Sequence, residues 1–226
     1  MRQPAVALTV AVICVLTAGC TMTGRAVMPT TISMIPRPLV ERELAGLLLT
    51  VDQVNAAMGS TAMAVTNTQT TMSDNSTTMA PPECLAVDGA AEAAVYADSG
   101  FQAALDQSLN DGDQFTHYLK QAVVLYPLVD QAAAFLDHSA LQWRTCQHYT
   151  HIQSNTQWTV GPIVYAGGAL STTVTEQDAA APGWGCGRAM SLKNNVVIDI
   201  NTCSANPADS ALKIANQIAQ NVAARW

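Results

Sequence analysis

The chain has 226 residues, 49% of them hydrophobic, and a formal net charge of −7. It is long enough to bury a core of its own and suits one domain with a linker. No basic stripe stands out among its ten Lys and Arg residues, so nucleic acid is not expected as a partner, nor is a polybasic contact with anionic lipid. Charged residues make up 12%, against about 25% in an average domain, so the polar surface must lean on Thr, Ser, Asn and Gln.

Residues 1–20, MRQPAVALTVAVICVLTAGC, hold one early cation, Arg2, and an apolar run from Ala5 to Ala18. The run is too short to span a bilayer comfortably and reads as the core of a signal peptide, residues 1–19. It closes on LTAGC, small residues ahead of a cysteine, which resembles a bacterial lipoprotein signal; Thr17 stands where that pattern usually has Leu. On this reading Cys20 becomes the acylated N-terminus and lipid attaches the chain to the membrane. Residues 20–40 carry Thr and Pro without a period and read as a tether, leaving residues 41–226 as the domain.

Within the domain, Thr50 is placed to cap a short helix that Gly59 stops. TAMAVTNTQTTM, FQAALDQSL and HYLKQAVVLY are strand candidates, and SDNSTTMAPP is a loop. Pro127 opens a segment in which Val129, Ala132, Ala133, Leu136, Ala140 and Trp143 follow helical spacing, so an amphipathic helix delivers Cys146. QWTVGPIVYAGGALSTTVTEQ reads as two strands joined at Gly167-Gly168. After WGCGRAMSLKNNVVIDINTC, the last helix is expected to start with Asn206 as N-cap and Pro207 at the first helical position, with Leu212, Ala215, Ala219 and Val222 as its apolar stripe, widened by Ala211, Ile214 and Ile218. Strands in sequence with helices before and after predict an α+β domain, an antiparallel sheet packed against amphipathic helices on one face.

Asn194 and Asn195 suit a two-residue hairpin turn, because a short polar side chain tolerates positive φ. Counting outward from that turn sets Cys186 against Cys203 in a non-hydrogen-bonded pair, where Cα atoms lie roughly 4.5 Å apart and a disulfide can form. Of six cysteines, Cys14 and Cys20 belong to the leader and the anchor. The remaining four permit three pairings. The hairpin register selects Cys186–Cys203 and leaves Cys84–Cys146. Export favours disulfides over the competing zinc site, and the four thiols show no C-x-x-C spacing.

Trp184, Cys186 and Arg188, the strand Asn195-Val196-Val197 leading to Cys203, and the amphipathic C-terminal helix together resemble the extracellular sensor domain of PknH-type mycobacterial serine/threonine kinases. LLLTVDQVNAAMG and the Pro82–Cys84 segment resemble it more weakly. The resemblance covers roughly residues 40–226 and implies two disulfides in first-to-second and third-to-fourth order, with a cleft on the sheet that binds an unidentified ligand. Gly187 departs from the family, which often has Gln after the third cysteine. The Gly-rich phosphate loop, H-R-D and D-F-G of a kinase do not occur here, so the resemblance does not extend to catalysis.

Arg188 is expected across the hairpin from Asn201 and diagonal to Asp199. A guanidinium poised by a carboxylate can receive an acidic or carbonyl group, or the two can simply form an ion pair. Trp143, Tyr149 and Trp158 are further cleft candidates against the alternative of core packing. His148 and His151 would point to opposite faces of a strand and cannot share a metal; no metal or cofactor is expected. No G-x-S-x-G occurs, and an undetected hydrolase stands as the second alternative, behind the one given below. The expected function is a lipid-anchored envelope protein on the outer face of the membrane, binding a small molecule or glycan through Arg188, Asp199, Asn201, Tyr149 and Trp158. The alternative is recruitment of an envelope protein through the same cleft. The sequence assigns no oligomeric state.

Overall fold

The computed structural model describes residues 36–225. The signal peptide, Cys20 and most of the tether lie outside the described residues. Residues 36–40, assigned to the tether from sequence, are part of the folded body. Leu39 is buried, its N–H donates to Asn195 Oδ1 at 2.7 Å, and Asn194 Nδ2 donates to the Arg37 carbonyl at 2.6 Å.

A 3-10 turn (Glu41–Gly46) precedes α1 (Val51–Met58) and β1 (Ala64–Gln69). Next come β2 (Met79–Ala80), a second 3-10 turn (Pro82–Cys84), α2 (Leu85–Asp88) and α3 (Ala93–Tyr96). The centre is β3 (Ala103–Asn110), β4 (His117–Leu125) and α4 (Val129–Trp143). Four shorter strands follow: β5 (His148–His151), β6 (Thr156–Val160), β7 (Val164–Ala166) and β8 (Ala169–Glu176). The long hairpin β9 (Trp184–Lys193) and β10 (Val196–Ala205) leads to α5 (Ser210–Ala223). The strands form one sheet in the order β1-β3-β4-β10-β9-β8-β6-β5-β2, with β7 on β8, and every ladder is antiparallel.

Local chemistry accounts for the ends of α1. Thr50 Oγ1 accepts from the Gln53 N–H while Gln53 Oε1 accepts from the Thr50 N–H, a reciprocal cap. Gly59 closes the helix at φ 70°, a conformation that strains any residue with a Cβ. The C-terminal helix starts later than its sequence signals suggest. Asn206 takes φ 59° and its N–H donates to the Gly183 carbonyl, so it turns the chain off β10, and Asp209 is the residue before the helix. The QWTVGPIVYAGGALSTTVTEQ segment is three strands rather than two. Gly161-Pro162 interrupts it because Pro lacks the N–H a ladder needs, and Gly167-Gly168 makes the β7–β8 turn.

The α+β class and both disulfides are present, while the helices lie on both faces of the sheet. Ala189, Val196, Ile198 and Ile200 pack against Ile214, Ile218 and Val222 of α5 and against α1. The opposite face carries Met190, Val197, Ala122 and Val124 under α2 and α4. One-sided packing was the expectation from the order of strands and helices; α2 and α4 cover the second face by supplying partners for its polar residues, as described next. Cys186 pairs with Cys203 as the turn count requires, with Cα atoms 4.0 Å apart, and only Asn194 takes positive φ in the turn. Cys84 pairs with Cys146 across 62 residues. By chain entropy these bridges stabilise the fold by about 3 and about 4 kcal/mol.

Candidate functional site: a cleft floored by the central hairpin

Register lays a row of polar side chains across the face under α2 and α4: Ser108, Lys120, Asn201, Arg188 and Thr172, each opposite the next on adjacent strands. Tyr118, Cys203 and Cys186 form the adjoining row. Ser108, Lys120 and Asn201 of the first row, with the whole of the second, floor an open cleft of about 370 Å³.

Arg188 is not presented to that cleft. It is 1% exposed, and all five of its N–H donors are used. Nε donates to the Val87 carbonyl at 2.9 Å. Nη2 donates to the Ala86 and Gly89 carbonyls at 3.1 and 2.9 Å. Nη1 donates to the Ile200 carbonyl and to Asp199 Oδ1, the latter at 2.8 Å. The guanidinium lies 5.1 Å from the centroid of Trp143, which is wholly buried and does not line this cleft. Asp199 in turn accepts from the Ala91 N–H and the Tyr96 hydroxyl. The carbonyl groups that Arg188 was expected to receive are those of its own chain. They are the orphan acceptors at the C-terminal end of α2, satisfied from below by a charge on the sheet. Direct ligand contact by Arg188 and Asp199 is therefore corrected to a structural role.

That role fixes Asp88. Asn201 Nδ2 donates to the Asp88 carbonyl, so the backbone from Ala86 to Gly89 is held at four successive acceptors. The Asp88 side chain reaches into the cleft, where Oδ1 accepts from the Tyr149 hydroxyl at 2.8 Å and lies 2.9 Å from His151 Nε2. The hydrogen bond to this carboxylate raises the His151 pKa, and burial followed by the Asp88 charge pushes the Tyr149 hydroxyl well up. Tyr149 itself is buried behind Trp158, their rings parallel within 2° at 6.1 Å, and lines a neighbouring hollow of about 210 Å³ instead. Of the five residues expected to meet a ligand, Asn201 and Trp158 line the cleft.

The cleft also brings together residues that sequence reasoning passed over. Lys120 is 6% exposed; its ammonium donates to Ser73 Oγ at 2.8 Å and stands 3.9 Å from Asp106. Burial pushes the carboxyls of Glu92 and Asp106 up; Asn75 and Lys120 hold Glu92 down, Lys120 and Gln69 hold Asp106 down. Phe115, in the β3–β4 loop, approaches Tyr118 at 6.0 Å and Trp184 at 6.2 Å, making an aromatic cluster on one side. The available signals were a lone Lys inside the apolar strand HYLKQAVVLY and a Phe at a hairpin tip. A hydroxyl, an imidazole and a carboxylate also meet at Thr116, His117 and Asp111, but Thr116 Oγ1 and Asp111 Oδ2 both lie against the same ring nitrogen, Nδ1. That geometry cannot relay a proton across the imidazole. His148 and His151 do point apart, His148 to Thr159 and His151 to Asp88.

These features define a class: a two-disulfide α+β domain with a helix-covered antiparallel sheet and a mixed-polarity cleft on its central hairpin. Residues 39–221 match the family of PknH-like extracellular domains, and the chain belongs to it. It is similar to the serine/threonine-protein kinase PknH of Mycobacterium tuberculosis, 35% identical over 224 residues, which is 97% of this chain and 35% of that protein. The same protein of Mycobacterium bovis is 35% identical over 192 residues, 83% of this chain and 32% of that one. The chain thus spans about a third of the length of the curated relatives it matches. The crystal structure of the extracellular domain of Mycobacterium tuberculosis PknH superposes with a TM-score of 0.79 at 32% identity, covering 84% of this chain and 99% of that domain. No described helix is long and apolar enough to cross a membrane.

Proposed function

We propose that this chain is a membrane-anchored extracytoplasmic lipoprotein whose PknH-like domain binds a small molecule or glycan of the cell envelope. The observation that carries the reading is the cleft of about 370 Å³, which combines a preset carboxylate, an ammonium and a cluster of aromatic rings within the size range of ligand sites. Its floor is a hairpin closed by a disulfide at one end, so the groups are positioned before a ligand arrives and little ordering is needed on binding. Attachment through Cys20 is the role read from LTAGC. Asn201 and Trp158 remain as binding residues from the sequence reading, joined by Asp88, Lys120 and Phe115. Native mass spectrometry of the protein extracted from its own envelope tests both parts. The expected result is lipid mass on Cys20 and a second, noncovalent mass that leaves on collisional activation. Protein carrying neither mass would refute the proposal.

A further inference from the structure

We infer that the cleft's ligand is an uncharged, hydroxyl-rich ring of the saccharide kind, stacked on Phe115 and Trp184 and hydrogen-bonded by Asp88 and Lys120. This rests on the cleft being the binding site and adds the chemistry of what enters it.

Charge narrows the class first. Asp88 and Glu92 share the cleft with Lys120 and His151, so a ligand of either net charge meets a like charge at close range. An ion would also need a counter-charge free to take it. Glu92 is engaged by the Asn75 backbone N–H and side-chain amide at 3.1 and 2.8 Å, Asp88 already faces His151 Nε2 at 2.9 Å, and the Lys120 ammonium has a carboxylate, Asp106, behind it. Single hydrogen-bonding valences remain. Both bonds to Asp88 fall on Oδ1, so among the described residues Oδ2 takes none, and it belongs to a side chain 22% exposed. Lys120 uses one of its three donors, on Ser73. The cleft thus offers one strong acceptor and spare donors. A hydroxyl answers both, because it donates and accepts from one atom.

The aromatic cluster supplies the second half. Phe115 is 42% exposed, an unusual position for a Phe, and it leans on Trp184 and Tyr118 rather than into the core. Ring faces carry partial negative charge and attract weakly positive C–H groups. A pyranose has one such C–H face and a rim of hydroxyls, which matches a cleft with rings on one side and Asp88 and Lys120 in its wall and floor. A volume of about 370 Å³ limits the enclosed portion to one or two such rings.

The test is an array of neutral, acidic and amino-sugar glycans probed with the full chain in detergent, wild type beside Phe115→Ala and Phe115→Tyr. The expected result is binding to neutral glycans, weakened roughly tenfold by Phe115→Ala and kept by Phe115→Tyr. Exposure at Phe115 leaves folding intact, which a melting curve checks. Binding confined to acidic or amino-sugar glycans overturns the inference, as does neutral binding indifferent to Phe115→Ala. No binding to any glycan, with the noncovalent mass still present on envelope-extracted protein, overturns the saccharide class and leaves the cleft reading standing. Loss of both removes both.

Discussion

Arg188→Met is the substitution that most directly tests how this cleft is built. Methionine approximates the length of the side chain but none of its donors. The change strips the carbonyls of Ala86 and Val87 in α2, and of Gly89 just past it, of their partner and leaves Asp199, 1% exposed, without its counter-charge. Removing one member of a buried ion pair costs about 3–5 kcal/mol, because the remaining charge stays desolvated. For a domain of this size that is a fall of roughly 6–20 °C in melting temperature. Urea unfolding of wild type, Arg188→Met, Asp199→Asn and the double variant closes a cycle. The two single losses should sum to more than the double by at least about 1 kcal/mol, since both remove the same pair. Asp199→Asn alone should also cost stability, because Asp199 holds the Ala91 N–H and the Tyr96 hydroxyl. A folded Arg188→Met protein within about 1 kcal/mol of wild type would refute the account. Arg188 would then be free to serve a ligand directly.

Two further outcomes follow from single positions. A Cβ at Gly187 would lie 2.9 Å from Thr202 Oγ1 and 3.3 Å from Ala211 Cβ on α5, so Gly187→Gln should cost about 1–3 kcal/mol; an unchanged urea midpoint would refute the close packing. His151 is raised above 6.5 by the hydrogen bond to Asp88, so its stabilising effect is fully present below about pH 6.5 and fades as pH rises through the raised value. Against wild type, His151→Asn should lose less than about 1 kcal/mol, because the pair is partly screened by solvent, and the difference should be widest near pH 5 and close toward pH 9; a gap constant with pH would count against the pair.

What the sequence determined by itself is local or periodic. The Cys186–Cys203 pairing was legible because a turn at Asn194-Asn195 and a count along two strands settle it within twenty residues. The same count placed Arg188 across from Asn201, and helical period picked out the buried stripe of α5. The ends of α1 were legible because Thr50, Gln53 and Gly59 act within their own turn. The start of α5 was not, since Asn206 answers to Gly183, a residue on another segment. What Arg188 does was decided only in three dimensions. Its partners lie about a hundred residues earlier in α2, and nothing in either segment announces the other. The site is tertiary for the same reason. Asp88, Lys120, Phe115 and Trp158 come from α2, β4, a hairpin tip and β6, and become a cleft only when the sheet order brings those elements around the hairpin. A polar group's meaning depends on what covers it: Lys120 lines the cleft, and two strands away Arg188 holds a helix end.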